Sequence, residues 1–427
     1  MNMKDSGVKW IGSIPENWSV QRVKHAFVRK NEKAMQENPV VLSLARSGVK
    51  IRDISNNEGQ IAESYYNYNP VEEGDLLLNP MDLYSGANCS ISKVNGVISP
   101  AYINLKNKEG YNSRFYDYYF KVQYWMMAFF SHGKGVSFDN RWTLSVETLM
   151  NYSIVVLGYD EQCKRADYLD NKCKKIDDLI EKQQIAIEKL KDYKLSIITE
   201  TVTKGLNLNI EQKDSGYEFI GKIPITWEVY KLRNIGIPQN GISKGGEYFG
   251  HGYPFVSYGD VYRNYSLPEY VEGLIETTEE EREKYSVQKG DILFTRTSET
   301  IEEVGFSSVC EKTIEDACFA GFLIRVRPIN NLLETKFAKY YFRSNHHREY
   351  LAKEMNLVTR ASLGQDLLKS MIVLIPPKEE QLEIAEYLDC KCAAIDESIS
   401  KKQQIINQLM EYKKSLVYEV VTGKKEV

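Results

Sequence analysis

Residues 166–203 read ADYLDNKCKKIDDLIEKQQIAIEKLKDYKLSIITETVT, and residues 385–422 read AEYLDCKCAAIDESISKKQQIINQLMEYKKSLVYEVVT. The stretches lie 219 residues apart and agree at nineteen of thirty-eight positions. In the first, Ala166, Leu169, Cys173, Ile176, Ile180, Gln183, Ile187, Leu190, Lys194, Ile197 and Thr201 follow alternating steps of three and four. In the second, the same steps fall on Ala385, Leu388, Cys392, Ile395, Ile399, Lys402, Ile406, Leu409, Lys413, Leu416 and Val420. This is a heptad seam, and it predicts two long helices that pack along one face. Both seams break at the same places, Gln183/Lys402 and Lys194/Lys413. A polar residue in a seam costs stability but fixes register. Neither run contains Pro or Gly, and residues 161–202 would form a rod of about 60 Å. Gly205 and Gly423 stand at C-terminal stop positions. Matched seams in one chain predict an intramolecular antiparallel pair. Its interface would set Leu169, Ile176, Ile180, Ile187 and Leu190 against Leu388, Ile395, Ile399, Ile406 and Leu409.

Working outward, a second repeat precedes each intervening block. Asp5-Ser6-Gly7, Ile11-Gly12, Ile14-Pro15 and Trp18 return 209 residues later as Asp214-Ser215-Gly216, Ile220-Gly221, Ile223-Pro224 and Trp227. Both tryptophans, placed in the repeated part, are expected to be core residues. Between the repeats lie two blocks that barely resemble each other, which implies one mechanical task and two different recognition tasks. Both blocks read as mixed α/β. Strands are expected at 39–44, 74–78 and 151–157, and at 253–258, 290–295, 322–326 and 370–375. Helical periodicity covers 116–130 and 335–350. A Gly-Asp pair followed by an apolar triplet occurs in both, at Gly74 and at Gly290, placing a turn before a buried strand. The expected fold is therefore α/β: two mixed domains joined by an antiparallel coiled coil, as an internal repeat. Its parts are a first domain at 1–157, a first helix at 158–205, a second domain at 206–376, and a second helix with tail at 377–427.

At 427 residues, 42% hydrophobic and 27% charged, the chain suits a soluble protein of at least two domains. No apolar run reaches membrane-spanning length, and the N-terminus lacks the apolar stretch of a secretory signal. The expectation is a cytoplasmic protein. Seven Cys without a C-x-x-C pair and five His at unrelated spacings predict free thiols and no metal site. Net charge is −4: residues 1–157 carry 17 basic and 15 acidic side chains, and residues 206–376 carry 20 and 24. With no strongly basic segment, any nucleic-acid binding requires a local basic face or a partner that supplies positive charge.

Catalytic signatures are missing. There is no phosphate-binding G-x-x-x-x-G-K-[ST] loop and no G-x-G-x-x-G after a strand. Asn79-Pro80-Met81-Asp82 lacks the second proline and the aromatic of an amino-methyltransferase loop, so it is read as a turn. No carboxylate cluster suggests a nuclease. The chain is expected to bind rather than catalyse, with no cofactor of its own.

In these motifs and their order the chain resembles the specificity subunit of type I restriction–modification systems over essentially its whole length. The resemblance is carried by the duplicated opening segment and by Gly74-Asp-Leu-Leu-Leu-Asn-Pro-Met-Asp-Leu-Tyr-Ser-Gly86. Pro254-Phe-Val-Ser-Tyr-Gly-Asp-Val261, Pro376-Pro-Lys-Glu-Glu-Gln381, and the Ile-Asp, Gln-Gln, Tyr-Lys and Val-Thr pairs along both helices add to it. The first copy departs from the pattern at Leu157-Gly-Tyr-Asp-Glu-Gln162, which lacks the proline pair. The resemblance implies a DNA-binding subunit whose two domains each read half of a split site in double-stranded DNA. The helices would set the spacer and dock two methyltransferase subunits that use S-adenosylmethionine on adenine. Two restriction subunits, where present, would use ATP and Mg. On that reading, DNA contacts are expected from Arg46, Lys50, Arg52, Lys134, Asn140 and Arg141 in the first domain. In the second they are expected from Asn240, Lys244, Ser257, Tyr258, Arg263, Arg296 and Arg360. The alternative is a coiled-coil scaffold whose domains bind proteins and not DNA.

Overall fold

The computed structural model describes residues 2–45, 47–54, 62–81, 83–84, 88–135, 142–207, 209–298, 304–354 and 361–427. The chain forms two compact units, Met1–Gln184 with Gln403–Val427, and Ile185–Lys402. We call them unit 1 and unit 2. The long helices run Tyr159–Lys204 and Lys378–Val421, as the heptads require. Each unit contains part of each helix, and within each unit the two parts are antiparallel. In unit 1, Arg165 Nη1 donates to Val420 O at 2.8 Å, and Lys413 Nζ reaches Asp177 at 2.7 Å. In unit 2, Lys194 Nζ reaches Asp396 at 2.7 Å, while Gly205 approaches Glu380.

The seam residues are buried as their spacing demands. Ala166, Leu169, Cys173 and Ile176 join Leu416, Val417 and Val420 in the core of unit 1, with Ile180 and Leu409 packed at its margin. Ile198 and Val202 join Ile384, Leu388 and Cys392 in the core of unit 2. Ile187 and Ile395 in unit 2 and Ile406 in unit 1 are buried; Leu190 and Ile399 are half-buried. The polar breaks at Lys194 and Lys413 have a physical reason. Each is satisfied by an aspartate of the opposite helix, and Asp177 and Asp396 are themselves 219 residues apart. The two ion pairs are copies of one device.

Each unit builds its recognition block on a four-stranded antiparallel sheet. In unit 1 the strands are β1 (Phe27–Lys30), β4 (Leu76–Leu78), β5 (Cys89–Ile91) and β6 (Ile103–Asn107), in the order β1-β6-β4-β5. A hairpin of β2 (Leu42–Ala45) and β3 (Gly48–Ile51) lies beside them. In unit 2 the strands are β7 (Gly236–Asn240), β9 (Ile292–Thr295), β10 (Ser307–Val309) and β12 (Leu323–Pro328), in the order β7-β12-β9-β10. A second sheet pairs β8 (Phe249–Val256) in parallel with β11 (Ile314–Phe319). The Gly-Asp pairs open the matching strands β4 and β9. Gly74 and Gly290 adopt φ of 92° and 93°, where a side chain would be strained. Asp75 is 3% exposed; it accepts from Glu72 N at 2.8 Å and pairs with Lys30 at 2.8 Å. Asp291, fully buried, accepts from Gln288 N at 2.7 Å and pairs with Arg327 at 2.7 Å. The same carboxylate therefore caps the same turn and neutralises a cation, which comes from edge strand β1 in unit 1 and from the adjacent strand β12 in unit 2.

The duplicated helix starts are structural too. Gln162 accepts from Asn112 N at 2.8 Å and donates to Leu157 O at 2.8 Å. Gln381 accepts from Glu334 N at 2.8 Å and donates to Pro376 O at 2.9 Å. Each glutamine ties a long helix to the start of the domain helix it supports, Ser113–Trp125 or Thr335–Tyr341. Trp18 and Trp227 are core residues, 1% and 0% exposed, and donate to Glu161 and Glu380 at 3.2 and 3.0 Å.

Three expectations needed correction. The periodic stretch 116–130 is helical only to Trp125, and Met127 beyond it takes a φ of 57°. The periodic stretch 335–350 is not one helix: it breaks between Thr335–Tyr341 and Asn345–Glu354. Arg343 at the break is buried and donates to the carbonyls of Val261 and Asn264 at 2.7 Å each. Burial lowers its guanidinium pKa to about 10, and main-chain carbonyls rather than a carboxylate hold it. The strand expected from 322 begins at Leu323 and leaves Phe322 outside it.

Candidate nucleic-acid interface

In unit 1, of the described candidates, Lys134 lies in the packing around the end of β4, while Lys50 and Arg52 lie along and just beyond β3. Asn88, just before β5, donates its side-chain amide to Ala45 O in the hairpin turn at 2.7 Å, and Asn79 N donates to Asn88 O at 2.8 Å. The segment after Asn79 is held from the other side, with Leu144 N donating to Pro80 O at 2.8 Å and Leu83 N to Trp142 O at 3.1 Å. Lys134, exposed, is paired through its backbone with Thr143 in that same packing. Lys50 is exposed on β3, opposite Ser43. Arg52 is half-buried, its N donating to Val41 O at 2.8 Å. Arg46, Asn140 and Arg141 lie outside the described residues; their described neighbours Ala45 and Trp142 belong to this region. Tyr84, which sequence reasoning passed over, is 60% exposed beside Phe130.

In unit 2 the matching region lies at the ends of β7 and β9. Asn240 ends β7, and its side-chain oxygen accepts from Gln365 at 3.0 Å. Arg296 follows β9; its N donates to Phe322 O at 2.9 Å and its O accepts from Leu363 N at 2.7 Å. Arg360 lies outside the described residues, but the adjoining Ala361–Ser362 pairs with Thr297–Ser298 here. Other candidates have visible structural work. Lys244 is bound to Glu281 at 2.6 Å and to Glu276 O at 2.9 Å, and lies over the Tyr248 ring. Salt-bridged Glu281 is held below the usual carboxylate range, first by its hydrogen bond from Lys244. Ser257 caps the short helix Tyr258–Arg263 in a reciprocal capping box with Asp260. Tyr258 stacks on Tyr262 at 5.9 Å, and Arg263 is exposed at the helix end. Asn240, Arg296 and the 361–365 segment thus come together, while Lys244 and Ser257 are already engaged within the protein.

The sheet registers bring the two regions into correspondence. Leu105 faces Leu76 in unit 1, as Val326 faces Ile292 in unit 2. Counting back along β6 and β12 aligns Ala101 with Phe322, and counting forward along β4 and β9 aligns Pro80 with Arg296. The buried anchors of the two scaffolds correspond in role, and the strand ends differ in chemistry. Such a surface can make directional contacts and hold a different pattern in each unit. Among the described residues no group of three or more His, Cys, Asp or Glu could hold a metal ion, and no helix is long and apolar enough to cross a membrane.

Comparison with known proteins gives a consistent result. The family described as "Type I restriction modification DNA specificity domain" matches residues 224–411. The putative type I restriction enzyme MjaX specificity subunit of Methanocaldococcus jannaschii is 29% identical over 196 residues, 44% of this chain and 44% of that relative. That match spans less than half of the relative's length. The type I restriction enzyme MjaVIII specificity subunit of the same organism is 23% identical over 429 residues, covering 97% of this chain and 94% of the relative. A solved structure described as the "Structural basis underlying complex assembly and conformational transition of the type I R-M system" superposes with a TM-score of 0.71 at 15% identity. It covers 96% of this chain and 99% of that one, a likeness of fold.

Proposed function

We propose that this chain, which belongs to the family of type I restriction–modification DNA specificity subunits, reads a bipartite site in double-stranded DNA, one half with each unit. The observation that carries this reading is the contrast within the duplication. Buried anchors recur in kind: Asp75 and Asp291, Gln162 and Gln381, Trp18 and Trp227. The strand ends do not recur: exposed Ala101 and buried Pro80 stand where unit 2 has exposed Phe322 and half-buried Arg296. A duplicated scaffold with different surfaces is what reading two different sequences requires. Arginine and asparagine suit bidentate contacts to guanine and adenine edges, while lysines such as Lys50 and Lys134 suit phosphates.

In this reading the chain is non-catalytic. Methyl transfer with S-adenosylmethionine, and ATP-driven cleavage where restriction subunits are present, belong to its partners. The long helices set the spacer and dock two methyltransferase subunits. Support for docking comes from apolar side chains on the outer helix faces: Leu179, Ile405, Met410 and Tyr412 are exposed in unit 1, and Ile185, Tyr193, Leu382 and Tyr387 in unit 2. Exposed apolar groups of this kind mark protein contacts when clustered.

The test is to map methylated adenines in the genome of a host that expresses this chain with its partner subunits, then to exchange residues 40–150 for those of a relative. A bipartite motif of which only one half changes is the expected result. A change in both halves, in neither, or an absence of any split motif overturns the reading.

A further inference from the structure

Phe322 is 64% exposed, yet backbone hydrogen bonds from several segments hold its turn. It sits in the tight turn between β11 and β12, closed by Leu323 N donating to Ala320 O at 2.9 Å. Ala320 N donates to Val256 O at 3.0 Å, Ile242 N to Phe319 O at 2.9 Å, and Arg296 N to Phe322 O at 2.9 Å. Three separate segments therefore bolt the turn in place. Two glycines make the fit possible. A Cβ on Gly241 would lie 2.2 Å from Ala320 O, and one on Gly321 would lie 2.2 Å from Ser243 Oγ. The flanking Phe319 and Leu323 are both fully buried. A turn this constrained could have turned its aromatic ring inward or carried a polar residue. Instead it presents the ring to solvent, beside Arg296 and within the region that holds Asn240. Unit 1 has Ala101 at the corresponding turn position.

We propose that Phe322 is a specificity-determining residue of unit 2, making an apolar contact with the C5-methyl of a thymine in the half-site that unit 2 reads. This rests on the reading above that the chain binds DNA. The thymine methyl is the one apolar group that a base pair displays in the major groove, and phenylalanine is among the side chains that contact it. A reading contact needs a side chain pre-positioned by a rigid scaffold, and the hydrogen bonds of this turn supply that. Arg296, fixed to the same turn through its backbone, would place its guanidinium at a neighbouring position of the same groove.

The experiment uses the full chain in complex with its methyltransferase partners and duplexes of the mapped site. Thymines of the unit 2 half-site are replaced one at a time by deoxyuridine, which lacks only the methyl group. At one position this change should weaken binding of the unaltered complex about tenfold, the scale of one buried methyl or methylene. Phe322→Ala should weaken binding to the thymine duplex by a similar factor and be indifferent to deoxyuridine at that position. Phe322→Leu should restore part of the difference, and the unit 1 half-site should be read unchanged by all three proteins. Three results overturn the proposal: a Phe322→Ala complex that stays as sensitive to deoxyuridine as its parent, a loss that is the same on every sequence, as an intercalating wedge would give, or a unit 2 half-site with no A·T pair. Failure of the underlying reading shows itself earlier, as an unaltered complex that yields no split site at all.

Discussion

Acidification should loosen unit 2 through two adjacent histidines. His346 and His347 are 5% and 3% exposed, with ring centroids 3.8 Å apart. Phe219 stacks on His346, and Tyr341 and Phe342 flank His347 at 4.5 and 5.3 Å. His346 has Ser344 Oγ at 2.9 Å on one nitrogen. His347 Nε2 is buried without a hydrogen-bond partner. Burial lowers the His346 pKa to about 4, and burial together with its neighbour pushes His347 well below the ordinary range. A depressed histidine binds protons more readily in the unfolded chain. Its neutral form is fully compatible with the fold above the unfolded value of about 6.5, and stability is lost as pH falls from there toward the folded value. For His346 alone the loss is about 2 kcal/mol at pH 5 and about 3 kcal/mol below pH 4. Urea unfolding followed by circular dichroism, from near neutrality to about pH 5, would measure it. The double variant His346→Gln/His347→Phe removes both titrating groups, so its stability should fall less steeply with pH than the parent's, by about 2 kcal/mol for His346 over this range and further for the still more depressed His347. Parallel pH profiles for the two proteins would refute the reasoning, because they would mean that neither imidazole resists protonation in the fold.

Gly241→Ala should destabilise unit 2 by about 1–3 kcal/mol in the same unfolding assay, since the new Cβ would press on the carbonyls of Ala320 and Phe319. Asp291→Asn leaves Arg327 without its buried partner carboxylate and should cost about 3 kcal/mol or more; a loss under ~1 kcal/mol would show that the turn does not depend on the charge. Lys194→Glu sets two acids against each other across the helices, and Asp396→Lys in the same chain should recover the loss; with both groups partly in water the whole effect is about 1 kcal/mol, read as a double-mutant cycle. Four residues inserted after both Gln184 and Gln403 lengthen each helix by about 6 Å. The methylated site should then keep its half-site sequences and gain one or two spacer base pairs, and an unchanged gap in an active complex would remove the helices' role as a ruler.

The parts of the fold legible in the sequence were those where burial and periodicity coincide. The heptad steps located both long helices because a seam needs an apolar side chain every three or four residues, and no local chemistry contradicts that need. The breaks at Lys194 and Lys413 were visible, but their partners were not. Asp177 and Asp396 sit one position after a seam isoleucine, and only an antiparallel crossing brings them to the lysines. The periodicity of 335–350 misled because Tyr341 and Leu351 are buried on both sides of a break that Arg343 stabilises by bonding carbonyls remote in sequence. Phe322 was hidden for a related reason. An apolar residue next to Leu323-Ile324 reads as the start of a strand, and only the preceding Gly321 hinted at a turn. Candidate site residues were chosen by charge and loop position, and that filter cannot separate Lys244, held by Glu281, from Arg296, placed by its backbone at the exposed turn.

This difference in legibility follows from what each part of a duplicated chain must do. Asp75 and Asp291 are enclosed, so each must satisfy a turn amide and a cation, and few other side chains can. Gln162 and Gln381 must each accept from one amide and donate to carbonyls, a requirement that glutamine meets and a hydrophobic residue does not. Such positions change little after duplication because a substitution leaves a buried polar group unpaired at a cost of about 1–3 kcal/mol. The turn before β6 and β12 has no such requirement at its exposed position, where alanine and phenylalanine both leave the closing hydrogen bond of the turn intact: Tyr102 N donates to Ser99 O at 3.0 Å and Leu323 N to Ala320 O at 2.9 Å. Divergence is therefore concentrated where a change costs the fold least, and those are also the places from which a side chain can reach another molecule. Ala101 and Phe322 mark one such place, and the deoxyuridine experiment asks whether the freedom of that position has been put to use in reading a base.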